Sequence, residues 1–285
     1  MKKIIIFGSS GRLGSYFTKH LGKNNLIFPI NRDKRNKYYA NLYEEVEVDK
    51  LIKKIDPNII INCAGSTNVN KCTDDYNYGY EGNVLIPHNI VKSLKSCNKK
   101  IHLIHFSTDQ VYNKKNIKKS LEYEVNISNN YSKTKFYGER EIKKIKNYTI
   151  IRANFFGKLS SLKYKSFSDF IINNLKMRKK INMPNNIYYN PMHISFLIKY
   201  INLIIKKNIK GTYNIGSDEI ISKYDFAKKI AEFYSLDSKL ICNYKSILSH
   251  HKRPLNTSVN TNKFKNKILI HAPKLVKMLG TVNFI

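Results

Sequence analysis

Within the first 21 residues, an apolar strand runs into a glycine-rich turn and out again into an amphipathic stretch. Lys3-Ile4-Ile5-Ile6-Phe7 is short and, beyond Lys3, continuously apolar and rich in β-branched residues, as a strand covered on both faces must be. Gly8-Ser9-Ser10-Gly11-Arg12-Leu13-Gly14 then spells G-x-x-G-x-x-G, and Leu13–Leu21 has helical spacing. A turn of this kind brings backbone close to an anion. The helix after it offers unpaired N–H groups and the positive end of its dipole. Strand-turn-helix context is what raises such glycines above a chance pattern. The expected ligand is the pyrophosphate of a dinucleotide, held by Gly8, Ser10, Gly11, Leu13 and Gly14, with Arg12 able to reach a phosphate.

The rhythm continues along the chain. Strands are expected at Leu26–Ile30, Ile59–Cys63, Ile101–Ser107 and Thr149–Ala153, and helices at Val48–Ile55, Val84–Cys97 and Tyr131–Ile145. Alternation of this kind predicts an α/β fold: a Rossmann-type doubly wound parallel sheet with helices on both faces. After Gly157 the rhythm changes. Helices are expected at Ser166–Met177, Ile194–Ile205 and Lys223–Tyr234, the last with Ser222 as N-cap, and a strand at Thr212–Ile215. The tail from Lys252, broken by Pro254 and Pro273, reads as loop-rich. The predicted organisation is a dinucleotide-binding domain over 1–157, to which 193–215 returns. A smaller C-terminal substrate-binding lobe comprises 158–192 and 216–285.

A net charge of +31 invites a nucleic-acid reading. However, lysine far outnumbers arginine and is dispersed, in company with abundant Asn, Ile and Tyr. That pattern fits a solvated basic surface with a mild attraction for anionic substrates. No nucleic-acid partner is expected. No apolar run approaches the roughly 18–20 residues of a membrane span, so no membrane partner is expected either. Met1-Lys2-Lys3 ahead of Ile4–Phe7 resembles a signal peptide only superficially, because four apolar residues are too few. Cys63, Cys72, Cys97 and Cys242 form no C-x-x-C pair. They read as free thiols of a cytoplasmic protein with no structural zinc.

The second strand ends in Pro29-Ile30-Asn31-Arg32. An acidic residue there would hold the ribose hydroxyl of NAD, whereas a guanidinium pairs with the 2′-phosphate of NADP. Asn31 and Arg32 therefore favour NADP, while Asp33 keeps NAD as the alternative. The third strand ends in Asn62-Cys63-Ala64-Gly65. Its small residues Cys63, Ala64 and Gly65 let a cofactor pass over the strand ends.

Tyr131-Ser132-Lys133-Thr134-Lys135 is Y-x-x-x-K on a predicted helix, which puts Tyr131 and Lys135 on one face. An ammonium beside the phenol favours phenolate and lowers a tyrosine pKa from near 10. That suits a tyrosine donating or accepting a proton near neutrality. The extension to Gly138-Glu139 makes the pattern far more specific. Ser107 and Thr108 follow the Ile101 strand, and hydroxyls at the carboxyl end of a parallel strand face the usual ligand crevice. Thr108 can hydrogen-bond a substrate oxygen while Tyr131 delivers its proton. His102 and His105 read as core histidines, and His250-His251 as surface.

Together these segments resemble the extended short-chain dehydrogenase/reductases, and within them the dTDP-4-dehydrorhamnose reductase branch. The matching pieces are Gly8–Gly14, Ile59–Gly65 with Thr67-Asn68-Val69, Asn83 before a helix, Ser107–Tyr112, Tyr131–Glu139, Arg152–Gly157, Gly211–Asn214 and Arg253-Pro254-x-Asn256-x-Ser258. The resemblance covers nearly the whole chain. It implies Thr108, Tyr131 and Lys135 as catalytic residues, with Lys135 also on the nicotinamide ribose. It implies Asn83 and Ser107 near the cofactor, and Asn68, Thr108, Asp109, Gln110, Asn154, Phe155 and Arg253 near the substrate. The implied reaction is NADPH-dependent reduction of the 4-keto group of a nucleotide-activated deoxysugar, in surface-polysaccharide sugar biosynthesis. A homodimer is compatible with it.

Departures sharpen that reading. Sugar-nucleotide dehydratases of this superfamily carry Asp-Glu after the threonine, but here Asp109 precedes Gln110, which favours a reductase. The glycine usual after Val-Tyr is replaced by Asn113-Lys114-Lys115. The tryptophan typical of rhamnose-pathway reductases is absent, and the chain has none. Two other readings stand beside the reductase. One is a nucleotide-sugar epimerase. The other is a non-catalytic NADP-binding regulatory subunit, since proteins similar to this branch partner methionine adenosyltransferase.

Overall fold

A computed structural model describes residues 1–97, 99–157, 166–247, 252–270 and 273–280. His250-His251, expected at the surface, lies outside them. The first half runs β1 (Lys2–Phe7), α1 (Arg12–Leu21), β2 (Asn25–Ile30), α2 (Glu45–Ile55), β3 (Ile59–Asn62), α3 (Val69–Asp74), α4 (Tyr76–Tyr80), α5 (Ile86–Ser96), β4 (His102–Phe106), α6 (Asn130–Ile142) and β5 (Tyr148–Ala153). The second half runs β6 (Phe155–Phe156), α7 (Phe167–Lys176), β7 (Ile181–Pro184), β8 (Tyr188–Tyr189), β9 (Met192–His193), α8 (Ile194–Lys207), β10 (Gly211–Ile215), β11 (Ile221–Ser222), α9 (Lys223–Phe233), β12 (Ile241–Tyr244), α10 (Asn262–Ile268) and α11 (Leu275–Gly280).

The central sheet has six strands in the order β10-β5-β4-β3-β1-β2. The pairings β1–β2, β1–β3, β3–β4 and β4–β5 are parallel. The protein is thus an α/β molecule of Rossmann type. From β1 the chain steps outward to β2 and then returns to the other side of β1 with β3. That reversal opens a crevice at the strand ends. Ile4, Ile5, Ile6 and Phe7 are fully inaccessible, as are Ile60 and Ile61 beside them. Each such side chain stabilises the fold by roughly 1.5–3 kcal/mol relative to exposure.

Two of the core histidines are tied within the sheet. His102 Nε2 lies 2.8 Å from Thr149 Oγ1, and the Thr149 hydroxyl donates to the Ile209 carbonyl. The Asn62 amide nitrogen lies 3.1 Å from His105 Nδ1. Burial holds both rings neutral, His102 near 4 and His105 well below its ordinary value.

The chain divides into two compact units. The first comprises 1–108, 129–152 and 201–212, and the second 109–128, 153–200 and 213–285. The boundary differs from the expected 1–157 with a return over 193–215. Residues 109–128 join the second unit because the late segment holds them. Asn256 Nδ2 donates to the carbonyls of Asn116 (2.6 Å) and Lys118 (3.0 Å), and Ser120 N–H donates to Ser258 O at 2.8 Å. That late segment is also less loop-like than expected, since it carries α10 and α11. Ser222 is the N-cap of α9, accepting from Asp225 N–H as its spacing predicts.

Candidate active site

In the first unit the glycine turn is shaped by close approach. Gly8 has φ +74°, and a Cβ there would lie 2.7 Å from Ala64 N. A Cβ on Gly14 would lie 2.2 Å from Gly8 O. No side chain larger than hydrogen fits at either position. Gly11 N–H donates to Gly8 O at 2.9 Å, closing the turn. Gly11 is also the N-cap of α1 and supplies no side-chain cap, so the first N–H groups of that helix keep their capacity for an anion. Ser10 is exposed on this turn. Ser9, which sequence reasoning passed over, fixes it instead: its hydroxyl donates to Ile30 O at 2.9 Å and its N–H to the same oxygen at 3.1 Å.

After β2, Asn31 Oδ1 accepts from Asp33 N–H (2.9 Å) and from Asn36 Nδ2 (3.0 Å), so it shapes the following turn. Arg32 is exposed there. Asp33 is held by Arg35, with Nε at 2.9 Å and Nη2 at 2.7 Å. The loop after β3 carries Cys63, Ala64 and Gly65, and burial pushes the Cys63 thiol far up. All four cysteines are free, as expected. A Cβ on Gly65 would lie 2.8 Å from Asn83 Oδ1 and 3.8 Å from Lys135 Nζ, which brings the lysine to the end of β3.

Asn83 sits in a π-helical turn, Glu81–Leu85, between α4 and α5. Its Oδ1 accepts from Ser66 N–H at 3.1 Å. Its Nδ2 donates to Ser66 O at 3.0 Å and to Thr134 Oγ1 at 3.2 Å. Asn83 therefore bridges the β3 loop and α6. Asn68 caps α3, accepting from Lys71 N–H, and is otherwise exposed.

Helix α6 carries Tyr131 and Lys135 one turn apart. It begins with a capping box in which Asn129 and Ser132 satisfy each other's backbone N–H. Tyr131 is 7% exposed and packs with Val69, Cys72 and Tyr78. Lys135 is buried and donates from Nζ to Phe106 O at 2.7 Å. Burial lowers its pKa to about 8, against the raising effect of Glu139. Ser107, beside the buried Thr108, donates from Oγ to Glu139 Oε1 at 2.5 Å. Thr108, Tyr131 and Lys135 all belong to the first unit.

The second unit holds most of the expected substrate residues. Asp109 Oδ2 accepts from Thr257 Oγ1 at 2.6 Å and from Asn154 Nδ2 at 3.2 Å. Gln110 follows Asp109 in a single 3₁₀ turn. Phe155 lies in β6, paired with β9. Arg253 lines a cavity of about 400 Å³ together with Lys223, Phe167, Phe170, Tyr244 and Ile247. Lys223 has its pKa lowered by burial and by the neighbouring Arg253. Nothing in the sequence singles out Lys223, because it reads as an ordinary first-turn residue of α9. Among the described residues no group of three or more His, Cys, Asp or Glu could hold a metal, and no helix is long and apolar enough to cross a membrane.

The RmlD substrate binding domain model matches residues 1–282. A dTDP-4-dehydrorhamnose reductase of Shigella flexneri is 22% identical, over 95% of this chain and 93% of that one. The methionine adenosyltransferase 2 subunit beta of Bos taurus is 24% identical, over 90% of this chain and 76% of that one. The crystal structure of a Bacillus anthracis dTDP-4-dehydrorhamnose reductase in complex with NADP superposes with a TM-score of 0.89, at 22% identity over 98% of each chain. Turn, sheet order, helix α6 and family model agree across almost the full length, and the chain belongs to the RmlD substrate binding domain family.

Proposed function

We propose that the protein is an NADPH-dependent reductase of the 4-keto group of a nucleotide-activated deoxysugar, working in surface-polysaccharide sugar synthesis. The observation that carries this reading is helix α6, which presents Tyr131 and a buried, partly desolvated Lys135 beside the strand end bearing Thr108. The Gly8–Gly14 cradle, which no Cβ can enter, and the uncapped start of α1 suit a dinucleotide pyrophosphate. Arg32 favours the 2′-phosphate of NADP, the cofactor present in the Bacillus anthracis relative. NAD is the alternative.

When bound, the nicotinamide supplies the hydride. The chain's own residues handle the proton and the orientation. Thr108 hydrogen-bonds the ketone oxygen and Tyr131 donates its phenolic proton to that oxygen as charge develops. Lys135, protonated below about pH 8, favours the phenolate left behind and holds the nicotinamide ribose. In the second unit, the cavity with Lys223, Arg253 and three aromatic rings has the charge and the apolar surface that a nucleoside diphosphate requires. The intact Thr108, Tyr131 and Lys135 set favours an enzyme over a regulatory subunit, because binding alone has no need of a tyrosine beside a lysine.

NADPH absorbance should fall stoichiometrically with one member of a panel of dTDP-, UDP-, GDP- and CDP-4-keto sugars. An epimerase would give product without net consumption. Tyr131→Phe should lower kcat by at least about 1,000-fold, on the scale of general acid catalysis, with NADPH affinity nearly unchanged. Turnover at the normal rate in that variant would sink the mechanism.

A further inference from the structure

Beneath the catalytic lysine lies an ion pair that the proton-transfer chemistry does not use. Arg152, near the end of β5, donates from Nε to Glu139 Oε1 at 2.8 Å and from Nη2 to Oε2 at 2.5 Å. Glu139 is 0% and Arg152 1% exposed. Removing two such charges from water costs several kcal/mol, and a well-packed apolar pair of similar size usually serves stability as well. A pair kept under those terms invites a search for what it positions.

Glu139 lies one helical turn beyond Lys135 and two beyond Tyr131 on α6, so the three share a face. The contacts reach the same strand end twice. Lys135 Nζ donates to the carbonyl of Phe106, and Ser107 Oγ donates to Glu139. Ser107 N–H meanwhile donates to Ile151 O at 2.8 Å, one residue before Arg152. Phe106 and Ser107 are therefore clamped to α6 immediately ahead of Thr108. The groups facing Lys135 from its surroundings are Cys63 after β3, Cys72 on α3 and His105 on β4, besides Tyr131 and Glu139 on its own helix. Burial keeps both thiols protonated and the imidazole neutral near pH 7, with Cys72 raised to about 11. Glu139 is then the anion among them.

We propose that the buried Glu139–Arg152 pair is a positioning device for the reaction: it fixes the strand end carrying Thr108 against α6 and supplies the counter-charge for Lys135. Arg152 anchors the carboxylate to β5, Glu139 passes that anchor to Ser107, and its charge acts on Lys135. The proposal rests on the reductase reading for its consequence in turnover, but its electrostatic half can be read without any substrate.

The experiment follows the ε-carbon resonances of the full-length protein, labelled with ¹³C-lysine, against pH. Lys135→Arg assigns the one that titrates near 8, well apart from surface lysines. Glu139→Gln should move that midpoint at least about one pH unit lower, as loss of an adjacent opposite charge does. It should move the alkaline limb of the kcat/KM profile by the same amount. Where Glu139→Gln does not fold, the double change Glu139→Gln with Arg152→Gln removes the pair without leaving a lone buried charge, and a smaller downward movement is expected, because the positive charge of Arg152 leaves with the carboxylate. An unmoved Lys135 midpoint, with kcat reduced equally at every pH, would make the pair a structural pillar and overturn the proposal. Failure of the unmodified protein to reduce any 4-keto sugar nucleotide would instead refute the reductase reading, while a moved midpoint in the variant would still support the counter-charge.

Discussion

The proposed preference for NADP rests on three exposed residues after β2. Asp33 is the side chain that could have bound the ribose hydroxyls of NAD, yet Arg35 grips both of its carboxylate oxygens. An exposed pair of this kind contributes little stability. Its effect is local: it occupies the carboxylate and leaves Arg32 beside a turn shaped by Asn31. Arg32→Ala should weaken NADPH binding about tenfold, the scale of one charge-assisted contact, and NADH binding much less. Quenching titrations with the two cofactors read the difference, and equal losses would remove the argument from Arg32. Arg35 has no place in the sequence-level reasoning, which weighs Arg32 against Asp33 alone. Only the folded turn shows that the competitor is already engaged.

At the scale of elements, the site depends on how closely α6 approaches the π-helical turn. A Cβ on Gly138 would lie 2.0 Å from the backbone oxygen of Asn83. Gly138→Ala should therefore push α6 outward and destabilise the protein by about 3 kcal/mol, the upper range for overpacking against a rigid neighbour. Thermal melting reads the loss, and kcat should fall with it because Tyr131 and Lys135 ride on the same helix. The glycine and glutamate of Tyr131-x-x-x-Lys135-x-x-Gly138-Glu139 are legible in the sequence as a pattern, but their reasons are not. Gly138 answers to a carbonyl 55 positions earlier, and Glu139 to an arginine in the next strand. The strands and the α6 helix could be read because burial writes itself into periodicity. The bridge that Asn83 makes between the β3 loop and α6 could not be read, since its partners lie 17 and 51 positions away and leave no local pattern. The short pairings β6–β9, β8–β11 and β7–β12 escaped for a related reason: runs of two to four residues carry too little pattern.

For the whole molecule, acid is the expected weakness. His102 and His193 are buried with pKa values lowered to about 4, chiefly by desolvation, and burial also lowers His105 well below its ordinary value. An unfolded chain takes up protons on these groups as pH falls through about 6.5, before the folded one does. Their neutrality therefore costs the fold nothing above about pH 6.5, and stability is lost progressively between there and pH 4. At pH 5 His102 and His193 should each remove about 2 kcal/mol, lowering Tm on the order of 10 °C for a chain of this size. Calorimetry at pH 7 and pH 5 checks this, and an unchanged Tm would mean that the imidazoles are charged in the fold. The net charge of +31 pushes the same way on acidification, because self-repulsion grows as carboxylates are neutralised.

The interleaving of the two units has a consequence during synthesis. Each is assembled from three separate stretches, and the first needs residues 201–212 to be complete. A ribosome must therefore deliver the chain through residue 212 before the first unit can close its last edge. The second half must wait for the segment around Asn256 that secures residues 109–128. No simple cut of the gene yields either half alone, so a nascent chain stalled before residue 200 should remain a chaperone client rather than a finished domain.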